Sequence, residues 1–138
     1  MANIQAESEY NPNAGSKYGA YGLCQWCGGR RQALINKVGH EDAWTQLVHM
    51  AEELENGYTH VLNKLREVEN NEDGARQAAY YFCKHFEIPS NVEWKSNYRA
   101  GIAADIWNMI IELEAIDAEL SGSVAELNRY FAELVLKG

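Results

Sequence analysis

Apolar residues recur along this chain at intervals of three and four, the period of one face of an α-helix. Met1 to Glu9 is expected to form a short helix that stops at Asn11-Pro12, because proline disfavours helical backbone in the residue before it. Leu34, Ile35 and Val38 mark a helix over Arg30 to Val38, stopped by Gly39. Trp44, Leu47, Val48, Ala51 and Leu54 share one face of a helix over Glu41 to Asn56, ended by Gly57. Val61, Leu62 and Leu65 face inward from Tyr58 to Val68. After the polar turn at 70–74, Ala75 to Phe86 is rich in alanine and aromatics, as a central helix would be, and Pro89-Ser90 breaks it. Trp94 to Leu120 carries the stripe Ile102, Ile106, Met109, Ile110, Leu113 and Ile116. Ser121-Gly122-Ser123 has the composition of a flexible linker, and Val124 to Leu136 reads as a last helix with Val124, Leu127, Phe131, Leu134 and Val135 on one side. No segment shows clear two-residue alternation. The expected class is all-α, and residues 1–138 are expected to form one domain.

The stretch from Asn11 to Gly29 breaks the pattern. It holds five of the eleven glycines together with Asn, Ser and Tyr, and predicts a long loop with at most a minor β-hairpin. Loops of that length within compact domains are usually functional.

Composition narrows the functions available. A hydrophobic fraction of 46% supports a core without disulfide or metal staples. The net charge of −8 argues against nucleic acid as a partner, since phosphate binding needs a basic face. No signal peptide or membrane-inserting span is expected: the start lacks a basic region and an apolar run, and the greasiest segment, Ile102 to Ile116, is broken by Asp105, Asn108, Glu112 and Glu114. Of the three cysteines, Cys24 and Cys27 have the CxxC spacing. A zinc site would need two more ligands, which only Cys83 and His85 could supply, and a thioredoxin-like motif should follow a strand. Free thiols are therefore expected, with no metal and no cofactor. The histidines at 40, 49, 60 and 85 show no ligand spacing, and no Gly-x-Ser-x-Gly occurs.

Glu7 sits where the first helix gives out and faces the aromatic, glycine-rich loop. A glutamate on a rigid element beside apolar groups has the setting that a general acid for glycosidic-bond cleavage requires; a solvated charge at a helix end is the plain alternative, and Glu9 beside it looks like one.

The order of residues around Glu7 adds a resemblance. Glu-Ser, Asn-Pro and Gly-Leu-x-Gln resemble the catalytic region of goose-type lysozymes and lytic transglycosylases in the lysozyme-like superfamily, a mainly helical α+β fold. The likeness to the phage tail lysozyme family is closer. It rests on Asn3, Ile4, Glu7, Ser8, Asn11, Pro12, Tyr21, Gly22, Leu23, Gln25, Trp26, Gly29, Arg30, Arg31 and Leu34, and further on "AAYYFCKHFEIPS" with Tyr98-Arg99. It covers roughly Ala2 to Trp107, and departs at Glu9, where the family often has glycine. The resemblance implies a peptidoglycan glycosidase that cleaves the β-1,4 bond between N-acetylmuramic acid and N-acetylglucosamine, with Glu7 as general acid. Gln25 would line the site, bonding substrate or fixing the loop. Tyr21 and Trp26 would offer faces to sugar rings, with a core role for Trp26 as the alternative. Glu87 is the candidate second carboxylate, against the plainer reading that it pairs with Arg99. A lytic transglycosylase giving an anhydro-sugar, or a wall-binding domain without activity, are the alternatives. The implied partners are peptidoglycan glycan strands and other phage tail proteins, and the implied place of action is the virion tail or the cell wall.

The family normally has one more helix before the catalytic one. Val124 to Gly138, "VAELNRYFAELVLKG", resembles that segment, which suggests a circularly permuted order; an ordinary C-terminal helix is the plain alternative. On the permuted reading the 124–136 helix packs against the Met1–Glu9 helix.

Overall fold

The computed structural model describes the backbone of residues 1–137 and the side chains of residues 1–129. Six helices follow one another: α1 (Ala2–Ser8), α2 (Gly28–Ile35), α3 (Ala43–Asn56), α4 (Thr59–Glu67), α5 (Glu72–Phe82) and α6 (Val92–Lys137), with a π-helical turn, Cys83–Glu87, closing α5. The helical class expected from the periodicity holds. Among the described residues the loop between α1 and α2 forms only two isolated antiparallel bridges, Gly15 with Tyr21 and Tyr21 with Trp26, rather than a hairpin of regular strands.

Local chemistry explains several boundaries. The Asp42 side chain accepts from the Thr45 amide (3.1 Å) and the Asn71 side chain from the Gly74 amide (2.8 Å), each satisfying an orphan N–H at a helix start. At the other end of α1, Glu9 closes the helix in the left-handed region (φ 52°), with its N–H on Gln5 O. That conformation favours glycine, which accounts physically for the residue the family often carries there.

α5 and α6 pack against each other, and α1 contacts both. The buried Asn3 side chain donates to Ala79 O (3.1 Å), pinning α1 to α5. The main core gathers Ile4, Leu23, Cys24, Trp26, Leu34, Leu54, Val61, Phe82 and Phe86.

Two expectations need correction. On α3 the inward face is Gln46, His49 and Leu54, while Trp44 is 72% exposed. The helix is rotated toward Gln46 and Glu53, whose side chains have partners in the interior, described below, and the hydrophobic pattern does not record such partners. The second concerns 121–123. α6 runs through Ser121-Gly122-Ser123 without a break. One glycine inside a helix costs only about 1 kcal/mol relative to alanine, and the strong helix formers Ala118, Glu119, Leu120, Ala125, Glu126 and Leu127 flank it. Residues 124–129 are consequently exposed and do not pack on α1; the side chains of 130–136 lie outside the described residues.

Candidate active site

The site is built where α1, the π turn and α6 meet. Glu7 lies in the last turn of α1, its side chain 18% exposed. Arg99, on the buried side of α6, reaches it with Nη2. The other terminal nitrogen, Nη1, lies 2.7 Å from Glu87 Oε2 and donates to Cys83 Sγ. The side chains of Arg99 and Glu87 are almost wholly buried, at 4% and 3%. One cation thus serves two carboxylates.

The π turn makes this arrangement possible. A π turn accommodates one extra residue and recurs at functional sites. Here it turns Cys83, Phe86 and Glu87 inward together, and Ile88 ends it in the left-handed region (φ 48°). Burial pushes the Glu87 carboxyl up to about 7; Arg99 opposes the shift and the charge of Glu7 adds to it. Neither Glu87 oxygen has a hydrogen bond of good geometry, so the pairing with Arg99 is the chief offset to its desolvation, with smaller help from Cys83 and Arg30. The pairing of Glu87 with Arg99 is what the plainer reading of the sequence anticipated.

The loop that follows α1 is fixed by side chains reaching back into it. Ser8 Oγ donates to Ile4 O (3.0 Å), and Asn11 Oδ1 accepts from the Asn13 amide (2.9 Å). Gln25 Nε2 donates to Ala14 O (3.1 Å) and Gly22 O (2.9 Å), which spends both amide hydrogens on the loop itself. Tyr21 is half-buried and its hydroxyl donates to Asn13 Oδ1 (3.1 Å). Trp26 is 2% exposed and its indole N–H donates to Glu53 Oε2 (2.7 Å). In this conformation Trp26 has no face free for a sugar ring, and the core alternative describes it. Arg30 completes that interior network, clamping Glu53 (2.6 and 2.8 Å), donating to Phe86 O (2.9 Å) and lying over the Phe86 ring at 4.3 Å. Cys24 is buried with its sulfur 3.7 Å from Met50 Sδ, Cys27 is exposed, and both are free thiols.

Gln46 was not singled out in the sequence, yet it holds the loop to α3. Fully buried, it accepts from the Leu23 amide (2.7 Å) and donates to Pro12 O and His40 O (both 2.7 Å). Gly22 is required beside it: its φ is 79°, and a Cβ there would come within 2.5 Å of Gln46 Oε1. The signal that would have revealed Gln46 is its spacing from Leu54 and His49 on one helical face. Replacing Gln46 with alanine orphans the Leu23 N–H and two carbonyls. A fall of about 3 kcal/mol in unfolding free energy is expected by chemical denaturation, together with faster hydrogen exchange at the Leu23 amide.

The exposed aromatics near the ion pair also escaped the sequence reading. Trp94 (67% exposed) stacks on Tyr98 (55%), rings 5.5 Å apart and nearly parallel, in the α6 segment leading to Arg99. Tyr98 and Tyr10, with Gln5, Ala6, Glu9 and Ile102, line a hollow of about 430 Å³ between α1 and α6. A more apolar hollow of about 330 Å³ opens beside Met1 and Ile4, lined further by Leu54, Phe82 and Ile106. Glu7 lines neither.

No curated protein and no solved structure matched the chain. The family model for phage tail lysozyme matches residues 1–110, from the first residue of the chain into α6 and across every element of the site. That span covers most of the sequence and includes Glu7, the glycine-rich loop, Glu87 and Arg99, so the chain belongs to the phage tail lysozyme family.

Proposed function

We propose that this chain cleaves the β-1,4 bond between N-acetylmuramic acid and N-acetylglucosamine in peptidoglycan, with Glu7 as the general acid. Family membership supplies the coarser statement, a cell-wall lytic function acting on peptidoglycan. The observation that carries the finer one is the placement of Glu7, partly exposed at the end of a helix pinned by Asn3. In the reaction Glu7 gives its proton to the glycosidic oxygen, which leaves with the electron pair of the broken C–O bond. Arg99 stabilises the carboxylate left behind. The exposed rings of Tyr98, Trp94 and Tyr10 are the surfaces best placed to stack on sugars; Tyr21 and Gln25 act by shaping the loop.

Glu87 does not suit the part of the second carboxylate. It is buried behind Arg99, away from any water it would have to activate. That favours a reaction in which the substrate's own acetamido group assists, the pattern of enzymes with a single essential glutamate. Either water or the muramic acid's own hydroxyl then completes it. Mass spectrometry of the fragments released from purified peptidoglycan distinguishes the two, as a reducing muramic end or an anhydro end. Release of peptides without cut glycan, or binding without any release, would refute the proposal.

A further inference from the structure

Beyond residue 110 the chain leaves the span matched by the family, and α6 continues as a single helix whose residues 111–129 are exposed. Its apolar residues do not scatter. Ile106, Leu113, Leu120 and Leu127 recur every seven positions, and the sequence continues the series with Leu134. Three residues before Leu113, Leu120, Leu127 and Leu134 come Ile110, Asp117, Val124 and Phe131. This is the a/d seam of a coiled coil, with the Leu113 series at d and the Ile110 series at a. Leu113, Leu120, Val124 and Leu127 are each at least half exposed, and Ile110 and Ile116 beside them are exposed too, so the seam lies open on α6. Gly122 falls at f, the position farthest from a partner, which is where a coiled-coil helix tolerates glycine.

The seam is symmetric about Gly122. Reversing one copy against another pairs Leu120 with Val124, Asp117 with Leu127, Leu113 with Phe131 and Ile110 with Leu134, every layer joining an a position to a d position. Charge selects this orientation. Residues 110–120 carry Glu112, Glu114, Asp117 and Glu119 with no basic residue, whereas 124–137 balance Glu126 and Glu133 with Arg129 and Lys137. A parallel, in-register pair would set acidic half on acidic half and Asp117 against its own copy inside the seam; the antiparallel pair sets each acidic half on a neutral one. We propose that α6 is a self-association surface on which a second copy of this chain docks antiparallel, crossing at Gly122.

The test is the mass of the full chain in solution by light scattering, across micromolar concentrations. Twice the chain mass of 15.6 kDa is expected, and Leu113→Glu with Leu127→Glu should return the chain to the single mass with its helical circular dichroism and its wall lysis retained. Orientation is read in a Cys27→Ser background by mixing chains carrying Asp117→Cys with chains carrying Leu127→Cys under mild oxidant. A disulfide between the two kinds of chain is expected. Single mass at every concentration, the result if 124–137 instead folds back on its own chain, would overturn the proposal, as would Asp117→Cys chains bridging only to one another.

Discussion

Replacing Glu7 with glutamine is expected to lower the rate of peptidoglycan lysis at least about a hundredfold while leaving thermal stability nearly unchanged. The two halves of that expectation have different origins. Glutamine keeps the size of the side chain and an oxygen that accepts from Arg99, so the helix end and its contact survive. It cannot give up a proton to a leaving alkoxide. A turnover assay on purified cell walls, paired with a melting curve, reads both. Because the side chain is 18% exposed rather than sealed, substrate can reach it without unfolding α1. Unaltered lysis by the variant would remove Glu7 from the mechanism. Lost lysis with retained glycan binding is the expected pattern.

Arg99→Met is expected to cost more in stability than any other single change at the site, about 3–5 kcal/mol at pH 8, because it strands a buried carboxylate. The loss should shrink on acidification. Glu87 ordinarily titrates near 4.5, and burial pushes it up to about 7 in the fold, so between those values the folded chain holds a proton that the unfolded chain has released. Stability from this group therefore falls as pH rises through about 4.5 to 7. Removing Arg99 takes away the pull that opposes the rise, and the fall extends to higher pH. Denaturation from pH 5 to 8 should show a penalty that grows with pH, and adding Glu87→Gln should recover much of it. A penalty that ignores pH would mean that Arg99 acts through packing alone. Arg99→Lys is a poor substitute, since one ammonium cannot fork between Glu87, Cys83 and Glu7.

Much of this architecture can be read from the chain, and the parts that cannot share a cause. Helix positions follow from periodicity and from Asn11-Pro12, Gly39 and Pro89, each of which acts locally. The association of Glu87 with Arg99 was available because both lie in short motifs of the same resemblance. The rotation of α3 was not, because Gln46 and Glu53 are buried by partners more than twenty residues away in the chain. Trp26 illustrates the same limit: a tryptophan beside a glycine-rich loop suits a sugar platform or a core equally, until Glu53 is seen to take its N–H. Conversely, Met109, Leu113 and Ile116 belong to the apolar stripe of the last helix, yet they are exposed, because nothing in the chain covers that part of α6 among the described residues. The 121–123 segment failed by composition: Ser-Gly-Ser suggests flexibility, but its helical neighbours decide the backbone.

The π turn at Cys83–Glu87 has a consequence in counts of residues rather than kinds. An α-helix advances about 100° per residue, so closing the same turn with one residue fewer would swing its last residues by that angle, while α6 stays held by its own packing on α5. Glu87 would leave the interior, and Arg99 would lose its deeper partner while Glu7 kept its own. The inward aim of Glu87 is thus written in the length of the segment between Phe82 and Pro89. A one-residue deletion there would do to the site what no conservative substitution could, although helix lies on either side of it.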